Sequence, residues 1–222
     1  VAASGNVGVS AQGSAAAVDI HSDTLASMNN TNVNATNGKL ELSAQSDNDI
    51  VSSADAANVA FGSTVGVAGG AAISVVNSDA DTKVEAKRDS GYSTWNAKDV
   101  SLSANSQNDI INVAMGLGVG ASGTAGVAVE GNVAVNNINN DTLVDVAGAS
   151  ITAAQNLGVL ANSREHLENY GGALSVGAAG TAGVGVGATV VVNTISGNTS
   201  ADVNNSNLNA AGSEDANSGI DV

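Results

Sequence analysis

The chain has 222 residues and a formal net charge of −15, from 21 acidic residues against six basic ones. A field of this sign repels phosphate backbones and anionic lipid headgroups, which argues against nucleic-acid binding and against docking on a membrane surface. The chain contains no Cys, so disulfide frameworks and thiolate zinc sites are excluded.

Small and β-branched residues dominate the composition, with 27 Gly, no Pro and four aromatic side chains: Phe61, Tyr92, Trp95 and Tyr170. A compact globule of this length would normally fill its core with bulky Leu, Ile and Phe residues. A stack of thin layers built from Gly, Ala and Val does not need that bulk. The composition therefore favours a layered repeat architecture.

The first clear element lies at residues 31–46 (TNVNATNGKLELSAQS). Val33 and Ala35 alternate with polar residues, and a turn at Asn37 and Gly38 follows. Beyond the turn the alternation resumes at Leu40, Leu42 and Ala44. We predict two short strands that meet at a corner. The same phrase recurs at three later points, with corners of different length: Trp95, Ile151 and Leu208.

Longer segments repeat at a nearly fixed spacing. LELSAQSDNDI at 40–50 returns as VSLSANSQNDI at 100–110 and faintly as LGVLANSREHL at 157–167, so Leu42, Leu102 and Val159 are separated by 60 and 57 residues. GASGTAGVAVEGNVAV at 120–135 returns without a gap at 177–192. Such a period indicates a repeat protein whose units bury their apolar faces against each other. We predict one elongated segment of a longer repeat protein, with approximate repeats at 1–50, 51–110, 111–167 and 168–222.

Residues 169–201 carry no charge over 33 positions, a length that would suffice for a membrane-spanning helix. The pattern argues against such a helix, because the valines alternate with a period of two: Val184, Val186, Val190 and Val192. Glycines, which we expect between the strands, would also weaken a helix: Gly126, Gly131, Gly183 and Gly187. We therefore predict strands, and no membrane insertion.

These elements fit an all-β solenoid of stacked coils. A unit of 57–60 residues would divide into about three coils of roughly 20 residues, and the chain into about 11 coils that form a rod on the order of 55 Å long. Asn136, Asn137 and Asn193 follow predicted strands, where they would either stack along a corner or serve as simple turn residues. The alternative fold is a trimeric β-roll head, which has much shorter repeats.

The repeat phrases resemble the repeat region of very large bacterial filamentous adhesins of the leukotoxin type and, more loosely, filamentous-haemagglutinin exoproteins. The resemblance covers essentially the whole chain and rests on GASGTAGVAVEGNVAVNNINNDT (120–142), GAAGTAGVGVGATVVVNTISGNTS (177–200) and VNATNGKLELSAQS. It implies a right-handed parallel β-helix, exported to the cell surface of a Gram-negative or related diderm bacterium. It also implies part of a long fibre that contacts host cells or other bacteria. The resemblance carries over no catalytic residue.

One stretch departs from the repeat, at residues 87–98 (KRDSGYSTWNAK). An exposed loop there could contact a host-cell surface protein, a matrix protein or a glycan through four side chains: Lys87, Arg88, Tyr92 and Lys98. Alternatively, Trp95 takes the inward strand position of Val33, Ile151 and Leu208, and only a solvated turn remains. We expect Trp95 to lie in the core.

A second departure lies at residues 164–170 (REHLENY). His166 stands near Glu165 and Glu168, yet no third or fourth metal ligand can be named, so we predict a solvated surface. The same reasoning applies to His21, beside Asp19 and Asp23. We predict no cofactor and no specific metal site, beyond loose calcium binding by the acidic surface.

Parallel β-helices also include polysaccharide-degrading enzymes that use paired carboxylates. With three coils per unit, repeat-equivalent acids would lie on the order of 14 Å apart. The equivalent pairs are Asp49 with Asp109 and Asp81 with Asp141. The carboxylate pairs of glycosidases stand only about 5 to 9.5 Å apart. We therefore predict that the chain is not an enzyme, although non-equivalent acids around Asp79 stay open as an alternative.

Two functions compete. In the first, the chain is an adhesive segment of a secreted bacterial surface fibre, which attaches to host cells or other bacteria. In the second, it is a passive stalk that projects a distal binding tip. Under both interpretations we expect an extracellular location and a monomer, because the high negative charge opposes stacking of one chain on another.

Overall fold

The computed structural model describes residues 1–212 and 220–221, and these residues form two sheets. Sheet A contains β1 (Ala2–Ser4), β3 (Val33–Gly62), β5 (Ser93–Ser122), β8 (Ala149–Ala153), β9 (Leu157–Ala179), β12 (Asn207–Ala210) and β13 (Ile220–Asp221). Sheet B contains β2 (Val7–Ser27), β4 (Val65–Lys87), β6 (Ala125–Asn139), β7 (Thr142–Ala147), β10 (Ala182–Ser196) and β11 (Thr199–Asn204). The all-β prediction is confirmed for the described residues. Parts of the predicted fourth repeat, residues 213–219 and 222, lie outside them.

Strand pairing in both sheets is parallel and follows the sequence repeat. Leu42 pairs with Leu102, and Leu102 pairs with Val159, so positions one repeat apart are direct neighbours. In sheet A the order is β1-β3-β5, and β5 then pairs with both β8 and β9. In sheet B, β4 lies between β2 and the pair β6 and β7, and β10 and β11 follow.

This register contradicts the predicted division of each unit into about three coils. One unit contributes one layer to each sheet, so sheet B is four strands deep along β2, β4, β6 and β10. At about 4.8 Å per strand the stack rises roughly 15 Å, far less than the predicted 55 Å. The strands are instead long, up to 30 residues.

The two sheets lie face to face. The chain reverses over Ser63 and Thr64, so that β4 runs back opposite β3. Across the interior, the hydroxyl oxygens of Ser52 on β3 and Ser74 on β4 are hydrogen-bonded at 2.7 Å. Side chains alternate between this interior and the outer faces, as the period of two requires, except at the irregularity that follows Ala35 and Ala97.

The interior is widest near the start of the sheet A strands. Trp95 is completely buried there, together with Leu102 and Ile151. Trp95 pairs with Val33 and Ile151, and Ile151 pairs with Leu208. The prediction that Trp95 takes this inward position in the core is confirmed.

From this wide end the interior narrows steadily towards the turn at residues 63–64. A small cluster of Ile50, Val76, Ile110 and Ile138 comes first. Beyond it the clustered apolar residues are all alanines, with polar side chains such as Asn58 and Glu130 among them: Ala54, Ala56 and Ala72, then Ala60, Ala68 and Ala128. At the narrow end the two backbones touch. A Cβ added at Gly66 would overlap the Ala121 carbonyl oxygen, and one at Gly120 would overlap that of Val127. The Gly and Ala content of the sequence is thus explained by a tapering interior.

Two local predictions are wrong. The Asn37 and Gly38 turn does not separate two strands, because β3 continues through it with a shift in pairing register between Ala35 and Lys39. The four glycines expected between strands lie inside β6 and β10: Gly126, Gly131, Gly183 and Gly187.

The uncharged stretch at residues 169–201 lies in β9, β10 and β11. Among the described residues, no helix has the length and apolar character needed to cross a bilayer.

Candidate functional site

The predicted contact residues surround the turn between β4 and β5. Lys87 ends β4, and its ammonium lies 2.8 Å from Asp145 and 3.4 Å from Glu85. The hydrogen bond with Asp145 raises the pKa of Lys87. Glu85 also binds Lys83 at 2.6 Å, and that bond lowers the pKa of Glu85. Lys87 is thus held in an ion-pair network, which leaves it poorly placed to bind a partner.

Arg88 and Tyr92 lie in the turn itself. The Arg88 Nε donates to the Ser90 carbonyl at 2.8 Å, and its Nη1 reaches Asn32 Oδ1 at 3.4 Å. The turn contains Gly91 at φ +75°, a conformation that favours glycine. Tyr92 is half exposed. Arg88 is therefore fixed against its own turn, while Tyr92 presents its ring to solvent.

Lys98 is exposed and lies farther along, at the register shift in sheet A. The five residues between Tyr92 and Lys98 form the first part of β5, which buries Ser93, Trp95 and Ala97. The structure therefore brings Lys87, Arg88 and Tyr92 to one corner, with Lys98 on the adjoining outer face of sheet A.

Asparagine ladders run through the interior, a feature that the sequence only partly indicated. Asn136 and Asn193 lie inside strands on the inward face, and Asn136 Nδ2 donates to Asn193 Oδ1 at 2.9 Å. Asn112 Nδ2 in turn donates to Asn136 Oδ1 at 2.7 Å across the two sheets. Asn137 points outward and bonds Asn77 at 3.0 Å. Of the two alternatives, stacked asparagines or simple turn residues, these side chains therefore follow the first, but they stack within strands and not at corners.

Two glutamates also point into the interior. Glu165 was expected on a solvated surface beside His166, and that expectation is wrong for its carboxylate, while Glu130 was not singled out from the sequence. Glu165 Oε1 accepts hydrogen bonds from Asn108 at 2.8 Å and from Asn140 at 3.2 Å. Glu130 Oε1 accepts one from Asn58 at 2.9 Å, and Glu130 is 1% exposed. Among the described residues, the second oxygen of each carboxylate is buried without a partner. Counting in twos from the small residue Ala128 would have placed Glu130 inward.

A cavity of about 360 Å³ adjoins Glu165, lined also by Asn140, Ser163 and Ser196. It lies beside the last strands of the described stack, β9 and β10. Glu165 thus combines an unpartnered oxygen with neighbouring space.

A shallow polar groove of about 240 Å³ crosses sheet A, and sequence reasoning missed it. Register alignment brings two rows of outward side chains together there: Gln45, Asn105 and Asn162, and beside them Asp47, Gln107 and Arg164. Taken alone, each of these side chains is an ordinary polar residue on a protein surface. The signal that could have found the groove is the repeat spacing, which places equivalent positions on adjacent strands.

The second departure, residues 164–170, forms a local surface network. His166 Nε2 lies 3.1 Å from Glu168, and the Tyr170 hydroxyl donates to Glu168 at 2.8 Å. The bonds from Tyr170 and then His166 lower the pKa of Glu168, and the bond to Glu168 raises that of Tyr170. His21 pairs with Asp79 at 3.3 Å. In the part of the chain that the structure describes, no three His, Asp or Glu side chains cluster as a metal site.

The spacing argument against a carboxylate pair is overturned by the register. Asp49 pairs directly with Asp109, and the backbone N–H of Asp141 donates to Asp81 Oδ1 at 3.1 Å. Equivalent acids are neighbours on adjacent strands, about 4.8 Å apart in backbone spacing, and not 14 Å apart. The prediction that the chain is not an enzyme therefore loses this support and stays a prediction.

Comparison with known proteins finds no match of any kind: no family model, no curated protein and no solved structure matches the chain. The geometry described above is the basis for any functional argument.

Proposed function

We propose that the chain is a β-solenoid segment of an exported bacterial surface fibre, and that it presents an adhesive surface. The pairing register supports the solenoid, because every long strand pairs with its equivalents one repeat away. Further repeats could extend both sheets by the same rule. The right-handed coil, the extracellular location and the bacterial fibre follow from the sequence resemblance.

The observation that favours adhesion over a passive stalk is the small axial advance of each unit. A repeat of 57–60 residues adds one strand to each sheet, or about 4.8 Å along the stack. Three coils per unit would have given roughly three times that advance. A stalk made this way uses much chain for little length. The same chain creates two broad outer faces, as a binding segment requires.

The corner between β4 and β5 is the proposed contact for a host-cell protein, a matrix protein or a glycan. Tyr92 offers an exposed aromatic ring beside the cation of Arg88, and these residue types are enriched where interfaces concentrate their energy. Lys98 adds a cation on the adjoining face. Lys87 is left out of the contact, because Asp145 and Glu85 occupy its ammonium. We propose no catalytic role and no cofactor.

The test is saturable binding of the labelled fragment to epithelial cells and matrix proteins, with and without calcium. The variant is Arg88→Ala, Tyr92→Ala, Lys98→Ala. The matched control removes a cation and an exposed aromatic ring from another part of sheet A, as Arg164→Ala, Tyr170→Ala. Circular dichroism must show the same β signal for all three proteins.

We expect saturable binding by the wild type and the control, and at least a tenfold lower affinity for the corner variant. Loss in the control alone would move the contact to the polar groove that contains Arg164. A well-folded fragment that binds nothing would leave the stalk as the function.

A further inference from the structure

Charge is distributed very unevenly over the two ends of the sheets. The half of the molecule next to the turn at residues 63–64, here called the apolar half, comprises residues 7–18, 51–76, 111–136 and 169–193. Of 27 charged residues in the chain, it contains only Asp55 and Glu130, and Glu130 is buried. The surface of this half is therefore almost free of charge.

At the narrow end of the apolar half, next to the turn, sheet B places its larger side chains outside and its smallest ones inside. β6 points Gly126 and Ala128 inward, while Val127 and Val129 point outward. Reversal of this arrangement is sterically impossible, because the backbones of the two sheets touch at Gly66 and Gly120. The exposed valines thus belong to a fixed face, which no part of the chain within residues 1–212 and 220–221 covers.

We define the valine face as the outward positions of residues 7–17, 65–75, 125–135 and 182–192 on sheet B. One row across the four strands is Val9, Val67, Val127 and Val184; another is Ala17, Val75, Val135 and Val192. Val129, Val184, Val186 and Val190 are each about half exposed. The valine face contains no charged residue, whereas the opposite outer face of sheet A includes Asp55.

The size of the valine face matches what a stable protein interface needs. Four strands at about 4.8 Å and a strand length of roughly 36 Å give a footprint on the order of 700 Å². A standard interface buries about 800 Å² per partner, and the largest apolar patch of a typical monomer is about 300 to 600 Å². Two sheets that stack face to face lie about 10 Å apart, with the side chains of their facing surfaces interdigitated.

The charge distribution selects a second copy of this chain as the occupant. In an antiparallel two-fold arrangement, each apolar half lies over the other and the two acidic ends point apart. Their separation of several tens of Å exceeds the Debye length of about 8 Å at physiological salt, so the net charge of −15 does not prevent association. A bilayer fits less well, because β10 has one neighbour, β6, among the described residues, and its other edge would enter hydrocarbon unpaired.

We propose that the valine face packs against the valine face of a second copy, so that the fragment is an antiparallel dimer and not the monomer expected from its charge. The two copies would bury their outward valines between two sheets B, and leave the β4–β5 corner of each copy free. This inference is independent of the proposed adhesion, since it concerns a different surface and a different partner.

The test is the molar mass in solution, by light scattering and sedimentation over about a hundredfold range of protein concentration. The disrupting variant is Val129→Lys, Val190→Lys, which puts two charges on the valine face. The matched control is Met115→Lys, Leu174→Lys, at exposed positions on the outer face of sheet A. Circular dichroism and the midpoint of urea unfolding at low concentration report whether each variant folds.

We expect a wild-type dimer with a dissociation constant on the order of micromolar or tighter. The dissociation constant of the valine-face variant should be at least a hundredfold higher than that of the wild type, so that the variant is a folded monomer, while the control stays dimeric. A wild type that is monomeric at every concentration would overturn the proposal, as would a dimer that only the control disrupts. Flotation of the wild type with neutral lipid vesicles, lost in the valine-face variant, would replace the second copy with a membrane.

Discussion

Asn58 donates a 2.9 Å hydrogen bond to Glu130 across the interior, and neither residue is more than 1% exposed. Glu130 Oε2 has no partner among the described residues, and it approaches within 2.9 Å of the point where a Cβ would lie at Gly116. Asn132 Oδ1 approaches the same point at 2.8 Å. The Asn132 amide group and Glu130 Oε2 therefore line one small space, in which the carboxylate oxygen has no hydrogen-bond partner.

This relationship predicts that Glu130→Gln stabilises the protein. Glutamine keeps an acceptor for Asn58 and replaces the unpartnered carboxylate oxygen with an amide group that can donate, so we expect a gain of about 1 to 3 kcal/mol. Urea unfolding measures the change. Glu130→Ala serves as the control and should destabilise, since Asn58 then loses its partner. A Gln variant less stable than the wild type would show that a bound cation or another donor satisfies the carboxylate.

The touching backbones at the narrow end predict opposite effects of two Gly→Ala changes. A Cβ at Gly120 would overlap the Val127 carbonyl, so Gly120→Ala should cost more than about 2 kcal/mol. Gly131 has nothing within 4 Å of its Cβ position, so Gly131→Ala should be neutral or stabilise by about 0.4 to 1 kcal/mol. Midpoints of urea unfolding compare the two; equal effects would contradict the taper.

Trp95 anchors the wide end and donates its indole N–H to the Thr31 carbonyl at 2.7 Å. Trp95→Ala should cost about 3 to 5 kcal/mol through the cavity that it leaves. Trp95→Phe retains most of the volume and should cost less, chiefly the lost hydrogen bond, about 1 kcal/mol. Tyr92→Ala is the exposed aromatic control and should change stability by less than about 0.5 kcal/mol. Thermal unfolding ranks the three, and a harmless Trp95→Ala would refute the burial.

The ion-pair network of Lys83, Glu85, Lys87 and Asp145 predicts a pH profile of stability. The pKa of Glu85 is lowered from 4.5 in the folded state, so its contribution is present above about that pH and is lost as the pH falls. The pKa of Lys87 is raised from 10.5, so its contribution is present below that value and is lost as the pH rises through the elevated pKa. Both contribute between these limits.

The variant Glu85→Gln should flatten the acid side of that profile by up to about 1 kcal/mol, because surface pairs contribute little individually. The measurement is the free energy of unfolding between pH 3 and pH 7, titrated at low and at high salt. The difference between variant and wild type should shrink at high salt, where screening weakens the pairs. The same fall in the free energy of unfolding towards pH 3 in both proteins would count against the ion-pair network.

The sequence was sufficient to predict strands, the repeat and the position of Trp95, because period-two alternation and repeat spacing are local signals. It did not predict how the units subdivide. Asn37 and Gly38 are good turn residues, but pairing with Asn96 to Asp99 across sheet A holds the strand together, so the extra residues form an irregularity. Neighbouring strands overrode a local turn preference there.

The alternating valines were a second source of error about the interior. Apolar alternation normally marks the buried face of a strand. Here Val127 and Val129 point outward, because the backbones of the two sheets approach too closely at the narrow end for a larger side chain at the inward positions of Gly126 and Ala128. The distance between the sheets depends on residues of the facing strand, such as Gly120 opposite Val127, and alternation within one strand does not record it. Glu130 was missed for the same reason.

Strict alternation over long paired strands also restricts how such a gene can change. Insertion of one codon early in β5 would turn every following inward side chain outward, including those of Ala104 and Ala114, which pair with Ala44 and Ala54. The units nonetheless differ in length, and the differences fall at two points. The first point follows Ala35, Ala97 and Ala153, where three, one and two extra residues precede the position at which regular pairing resumes. The second is the bend between the two sheets, which has five residues at 88–92 and one residue at Gly148. Codons can therefore be gained or lost at these two joints, and elsewhere the lineage can lengthen only by duplication of a whole unit.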